Sequence, residues 1–374
     1  MDGTSNNAME LCNGVTSDKI AAMHIFFSVA ESCIPAEVIA AIDINTVANE
    51  VYKHNFPSTH LYPKTIEGMT LDDFNRLDFD MILMSPPCQP FTRIGSQKDV
   101  LDPRTKSFLY ILDILPRLSK TPKYILLENV KGFETSVARD KLIQTLESCG
   151  YNYQEFLLTP TCLGIPNSRL RYFLIAKLQP GAFCFQTILE GFPHHERDDW
   201  KHKCQEMETL IYKLETSGHL ERKLKQNNNL SIQMIQDFLE EKLQNPSQYL
   251  ISPKVLMRYA LVLDIVGLTC RRSVCFTKGY GHYAEGTGSV LQTASDVELS
   301  TVFQEFETLS ENEKLAQLSK LKLRYFTPRE IANLHGFPAE FNFPEKISVK
   351  QSYRLLGNSL NIHVVAKLIE LLVQ

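Results

Sequence analysis

Residues 79–92 contain the motif Ser85-Pro86-Pro87-Cys88-Gln89-Pro90, and Cys88 is the only cysteine of the chain in a rigid loop that follows a strand-like run. Each proline fixes its own φ and restrains the residue before it, so the thiol sits on a stiff loop. The apolar run 81–84 just before it reads as a short buried strand. A loop at the carboxyl end of a strand is where an open α/β sheet presents its reactive groups. The thiolate is the nucleophilic form of cysteine, and covalent attack by it divides one difficult step into easier ones. The bland alternative is a rigid connection with an incidental buried cysteine.

The surrounding pattern supplies elements to hold such a loop. Residues 37–44 read as a strand ending in an acid, 46–54 as a helix, and Thr65-Ile66-Glu67-Gly68 as another strand-end loop. Phe108, Ile111, Leu112, Leu115 and Leu118 recur at helical spacing, which predicts an amphipathic helix over 105–118. A strand over 124–127 runs into Glu128-Asn129-Val130. A helix over 137–149 stops at Gly150, and strands follow over 154–158 and 171–177. Residues 20–32 could form a buried helix. Pro328 opens a late helix, and Gly357-Asn358-Ser359 precedes an apolar one over 362–373. Alternation of this kind implies an α/β fold with a doubly wound, mostly parallel sheet. Residues 1–180 and 325–374 read as a catalytic domain. Residues 181–324 read as a smaller irregular lobe, with a flexible polar insert near 187–250.

Composition sets the bounds. At 374 residues, 44% hydrophobic and 22% charged, the chain is long enough for a large core and has ordinary globular chemistry. No uninterrupted apolar run approaches the length of a membrane span, so no membrane role is expected. The nine cysteines are irregularly spaced and no Cys-x-x-Cys occurs, which argues against a zinc ribbon or a thioredoxin-type site. Reduced thiols in a cytoplasmic or nuclear protein fit best. The net charge of -4 hides a local bias: 85–171 carries 12 Lys/Arg against 8 Asp/Glu, and 320–374 carries 8 against 4. Positive charge therefore accompanies the candidate motifs, as a nucleic-acid site requires.

Four pieces fall at strand or helix ends in the order Pro86-Pro87-Cys88-Gln89, Glu128-Asn129-Val130, Arg169-Leu170-Arg171 and Gly357-Asn358-Ser359. This order and spacing resembles the cytosine-5 methyltransferase family over nearly the whole chain. The segment Cys275-Phe276-Thr277-Lys278-Gly279-Tyr280 is most similar to the tRNA-modifying branch, whose members methylate a cytosine in the anticodon loop of aspartate tRNA. The resemblance implies that Cys88 is the nucleophile at carbon 6 of the ring. It implies that Glu128 meets the ring edge at N3, and that Arg169 and Arg171 hold the ring and its phosphate. Adding the thiolate raises electron density at N3, where a placed hydrogen-bond donor stabilises it. The base must be extruded or unpaired to react, and an anticodon loop offers such bases. Arg93, Lys131, Lys278 and Tyr280 are candidate RNA contacts, by phosphate pairing or stacking.

The implied cofactor is S-adenosylmethionine. Its expected contacts are Gly14, Asp43 for the ribose hydroxyls, Ile66 and Glu67 on the adenine side, and Ser85, Asn358 and Ser359 near the methionine end. One segment departs from the family pattern. A Phe-x-Gly-x-Gly-Gly turn is replaced by Leu11-Cys12-Asn13-Gly14-Val15 followed by Thr16-Ser17-Asp18. Glycines there let a backbone approach the cofactor, so weakened cofactor affinity is the expectation. Three other readings compete. One is a DNA cytosine-5 methyltransferase, and another is a catalytically impaired tRNA-binding protein. The last, a nicotinamide oxidoreductase, predicts an intact Gly-x-Gly-x-x-Gly, which is absent.

Overall fold

Strand β4 (Met81–Ser85) is buried at all of its positions and is the central strand of a seven-stranded sheet. The computed structural model describes residues 6–12, 27–91, 99–183, 217–243, 245–303 and 306–374. The sheet comprises β1 (Asn6–Cys12), β2 (Ala36–Ile42), β3 (Leu61–Tyr62), β4, β5 (Tyr124–Val130), β6 (Tyr151–Leu158) and β7 (Arg171–Leu178). Its order is β3-β2-β1-β4-β5-β7-β6. All neighbours pair in parallel except β7, which runs antiparallel to both β5 and β6. The chain winds outward from β1 to β3 and then returns to place β4 on the other side of β1. The carboxyl ends of β1 and β4 flank that reversal, with Cys12 opposite Ser85. Ligands of open α/β sheets bind at such a switch point.

Both faces of the sheet are covered, which is why its central strands read as continuous apolar runs. Ile82, Met84, Ile125 and Leu127 pack with Phe108, Ile111, Leu112, Phe133 and Leu142. Met81, Leu83 and Leu126 pack on the other side with Val365, Leu368, Ile369 and Leu372 of the helix Ile362–Val373. Residues 349–373 are apolar enough and long enough to cross a bilayer. They form two helices interrupted at 358–361; the second buries one face in this core, and the first buries Tyr353, Leu355 and Leu356 in another.

The second part of the chain carries its own three-stranded sheet, β8 (Asp264–Val266), β9 (Ser289–Gln292) and β10 (Leu323–Arg324), in the order β10-β9-β8. A core of Leu256, Val290, Leu318 and Leu321 lies against it. A further cluster, including Phe276, Tyr280, Phe326 and Tyr353, joins this sheet to Val51 and Tyr52 of the helix Thr46–Asn55.

Several sequence-based boundaries shift, each for a tertiary reason. β5 continues to Val130 because β7 keeps pairing with it as far as Val130 opposite Arg171, so Glu128 lies inside the strand. β6 starts at Tyr151 rather than Gln154, directly after the left-handed Gly150, because β7 pairs with its whole length. β2 ends at Ile42 and leaves Asp43 just beyond it. Ile66–Gly68 is a short 3-10 turn, and the irregular stretch 274–293 includes β9. Of the helix expected over 20–32, residues 27–31 are helical and 20–26 lie outside the described residues. Most of the polar insert lies outside them too. Its described end begins with the helix Ser217–Asn228.

Candidate active site

The proline loop leaves β4 with Pro86 and Pro87 buried and Cys88 half-buried. The Phe91 amide donates to the Cys88 carbonyl at 3.0 Å and closes a turn over Gln89–Phe91. Phe91 packs edge-on against Phe133, with ring centroids 5.0 Å apart. Gly132 lets the loop after β5 come this close. Its φ is +107°, and a Cβ there would stand 3.0 Å from the Phe91 carbonyl oxygen.

Glu128, two residues before the end of β5, is 2% exposed and accepts a hydrogen bond from the Ser85 hydroxyl at 2.5 Å. On its other oxygen, Arg171 Nε approaches to 3.4 Å. The ends of β4, β5 and β7 thus bring Ser85, Glu128 and Arg171 together beside the Cys88 loop. Burial works against the charge on Arg171, but Cys275, Glu128 and Cys88 outweigh it and hold its guanidinium above the ordinary value.

Arg169 takes a different place from the one the resemblance implies. It is 3% exposed. Its Nη1 donates to Cys275 Sγ at 3.0 Å and to the Phe276 carbonyl at 2.9 Å, and Nη2 donates to the Gly357 carbonyl at 3.1 Å. With those bonds made, it pins β7, the 275–278 segment and the 357–359 turn to one another rather than reaching for a ring and its phosphate. Cys275, half-buried, also faces Arg171 Nη2 at 3.9 Å. Burial raises its thiol, yet Arg169 and Arg171 outweigh burial and hold it below the ordinary cysteine value.

The expected cofactor residues divide. Asp43, 1% exposed, accepts the Asn45 amide at 2.7 Å, and Asn45 caps the helix Thr46–Asn55. The carboxylate therefore braces the turn at the carboxyl end of β2, next to the strand-order reversal. Ile66 is 2% exposed within the core, and Glu67 accepts the hydroxyl of Ser107. Ser359 is fully buried and donates to the Leu355 carbonyl, next to Asn358 at the helix end. Ser85 donates to Glu128, as above. Gly14 and Arg93 lie outside the described residues. Of the RNA candidates, Lys131 is half-buried and Lys278 exposed. Tyr280 is corrected: it is 3% exposed, donates to the Ser289 carbonyl at 2.7 Å and accepts the Phe326 amide at 2.9 Å. A ring enclosed by Phe276, Tyr325 and Tyr353 offers no face for a base.

Sequence reading missed Arg104. The Gln89–Phe91 turn packs on Asp99–Leu101, which packs in turn on Pro103–Thr105. Arg104 is gripped by the buried Asp102 through Nε at 2.8 Å and Nη2 at 2.5 Å. That hydrogen bonding, opposed by burial and reinforced by Cys88, raises its guanidinium above the ordinary value. The spacing Asp102-Pro103-Arg104 after a proline-bound loop was its only signal. Arg104→Met is expected to slow turnover about tenfold, with partial recovery in Arg104→Lys, because a lysine restores charge but not the two-pronged grip. Single-turnover rates measured beside thermal melts check this, since the buried Asp102 loses its guanidinium partner and stability falls too.

The arrangement suits one chemistry. A half-exposed thiol on a fixed loop can add to an electron-poor ring. A buried carboxyl and a fixed cation then stand where charge develops.

Comparison with known proteins agrees with this geometry. Residues 9–374 match the family described as C-5 cytosine-specific DNA methylase. A relative from Bos taurus called tRNA (cytosine(38)-C(5))-methyltransferase is 59% identical, and the match covers 98% of each chain. A Dictyostelium discoideum relative called DNA (cytosine-5)-methyltransferase is 37% identical over 95% of this chain and 92% of its own. The crystal structure of S. pombe Dnmt2 methyltransferase superposes with a TM-score of 0.75 at 34% identity, covering 99% of this chain and 98% of that one.

Proposed function

Because the chain belongs to the C-5 cytosine-specific methylase family, we propose that it methylates carbon 5 of cytosine 38 in the anticodon loop of tRNA, as the name of its bovine relative suggests. Aspartate tRNA is the expected substrate and S-adenosylmethionine the expected methyl donor. The observation that carries the reading is the convergence of Cys88, Glu128 and Arg171 where the carboxyl ends of β4 and β5 meet the amino end of the antiparallel β7.

The donor fits the residues present. The Asp43 carboxylate and the carboxyl ends of β1 and β4 stand at the strand-order reversal, where an open sheet takes an adenosyl group. When bound, S-adenosylmethionine supplies an electrophilic methyl group. The chain does the rest. The Cys88 thiolate forms a bond to carbon 6 of the cytosine, and the displaced ring electrons make carbon 5 nucleophilic. Glu128 hydrogen-bonds the ring edge at N3, where negative charge gathers. Arg171 steadies Glu128. Once carbon 5 carries its methyl group and loses its proton, the Cys88–carbon 6 bond breaks and the thiolate is regenerated.

Parallel assays with labelled donor on aspartate tRNA transcript and on duplex DNA test the substrate. Label in tRNA alone is the expected result, and label in DNA alone would overturn it. The Dictyostelium relative's name favours DNA as the second reading. Isothermal titration with S-adenosylmethionine tests the donor. Binding weaker than that of a variant with Gly-Gly restored after Val15 is expected.

A further inference from the structure

The loop that follows the buried Tyr280 turns two aromatic side chains outward. Tyr283 is 64% exposed, and His282 beside it is exposed as well. Their rings lie 4.6 Å apart at 65°. The loop is tightly built. The amides of His282 and Tyr283 both donate to the Gly279 carbonyl, at 3.0 and 2.9 Å. The Thr287 hydroxyl donates to the Tyr283 carbonyl at 2.7 Å, and the Thr277 amide donates to the Thr287 carbonyl at 2.8 Å. Gly281, Gly286 and Gly288 take left-handed φ values of +74°, +65° and +152°. At Gly279 a Cβ would come within 3.0 Å of the Tyr283 ring, so glycine there lets the ring lie against the loop.

The base of this loop is tied to the active centre. Arg169 holds Cys275 and Phe276, and Gly357 lies against Thr277 and Lys278. An exposed tyrosine that nothing in the fold needs for packing therefore stands on a loop held in place relative to Arg169 and Arg171, with the exposed Lys278 beside it. Glu285, on the same loop, offsets Lys278, so charge alone does not make this an anion site. A flat aromatic face beside one cation suits a nucleobase and its phosphate.

We propose that His282 and Tyr283 form a stacking platform for an anticodon-loop nucleotide that flanks the target cytosine, with Lys278 on the adjoining phosphate. The assignment rests on the tRNA reading above. Stacking on a single aromatic residue, removed by alanine, changes nucleic-acid affinity on the order of tenfold to a hundredfold. Losing one phosphate contact lowers the slope of log affinity against log salt by about one.

The test is binding and methylation of an aspartate tRNA transcript by full-length wild type, Tyr283→Ala, Tyr283→Phe and Lys278→Ala. Tyr283→Ala should weaken tRNA binding about tenfold or more with an unchanged salt slope. Tyr283→Phe should bind as wild type, and Lys278→Ala should bind more weakly with a shallower slope. A 2-aminopurine placed beside the target cytosine should be quenched on binding to wild type and Tyr283→Phe, but not to Tyr283→Ala. If Tyr283→Ala binds and quenches like wild type, the platform is wrong and the tRNA reading stands. If wild type itself does not bind tRNA, both are wrong.

Discussion

Cys88→Ala loses methyl transfer by at least roughly a thousandfold, because the bond to carbon 6 is made by its thiolate. The same variant gives no trapped adduct with tRNA containing 5-azacytosine, whereas wild type gives one that survives denaturation. The fold should be nearly untouched. Cys88 is half-buried and its backbone turn is closed by the Phe91 amide, which alanine keeps. Denaturation midpoints of the two proteins should agree. Adduct formation by Cys88→Ala would move the nucleophile elsewhere, with Cys275 the first place to look. Its thiol already lies below the ordinary value, between two guanidiniums, although burial opposes that.

Gly357→Ala is expected to be the most damaging small substitution outside the reacting groups. An added Cβ would stand 2.1 Å from the Thr277 carbonyl carbon and 2.2 Å from the Lys278 nitrogen. Both are backbone atoms, so no side-chain rotation relieves the overlap. The 277–278 segment must retreat, and it continues from Cys275 and Phe276, where Arg169 is anchored. Overpacking of this kind costs about 3 kcal/mol or more when the neighbour cannot yield. Urea denaturation should show that loss, together with a fall in tRNA methylation. Gly267→Ala is the control: nothing lies within 4 Å of its added Cβ. Its stability should stay within about 0.5 kcal/mol of wild type. Equal stability of Gly357→Ala and wild type would mean that this contact is looser than the structure has it.

Local pattern made most elements readable. The helix Ile362–Val373 coincides with its apolar run, and the helix from Pro328 starts with Thr327 as cap and Glu330 answering it. Ends set by pairing were harder to read. Whether β5 stops at Leu127 or Val130 depends on how far β7 runs beside it, and β7 lies some 40 residues away in the chain. The site followed the same division. Cys88 and Glu128 were legible because each sits at a strand end in a distinctive local string. The role of Arg169 was not, since its partners Cys275, Phe276 and Gly357 are more than 100 residues distant.

The two tyrosines of the second lobe show where one kind of information ends and the other begins. Residue types and spacing pointed to an α/β sheet and a proline-held cysteine loop, and the family resemblance marked the carboxyl and the arginine pair, because strands, loops and motif strings are local properties of a chain. They also placed aromatic residues beside Lys278. They could not say which aromatic faces water. Tyr280 and Tyr283 are three residues apart with the same chemistry, yet one is 3% exposed and the other 64%. That difference comes from Phe276, Phe326 and Tyr353 closing around the first ring and from the left-handed Gly281 turning the chain before the second. Burial is decided by segments brought together from across the chain, so only the folded molecule separates a core tyrosine from one free to meet a base.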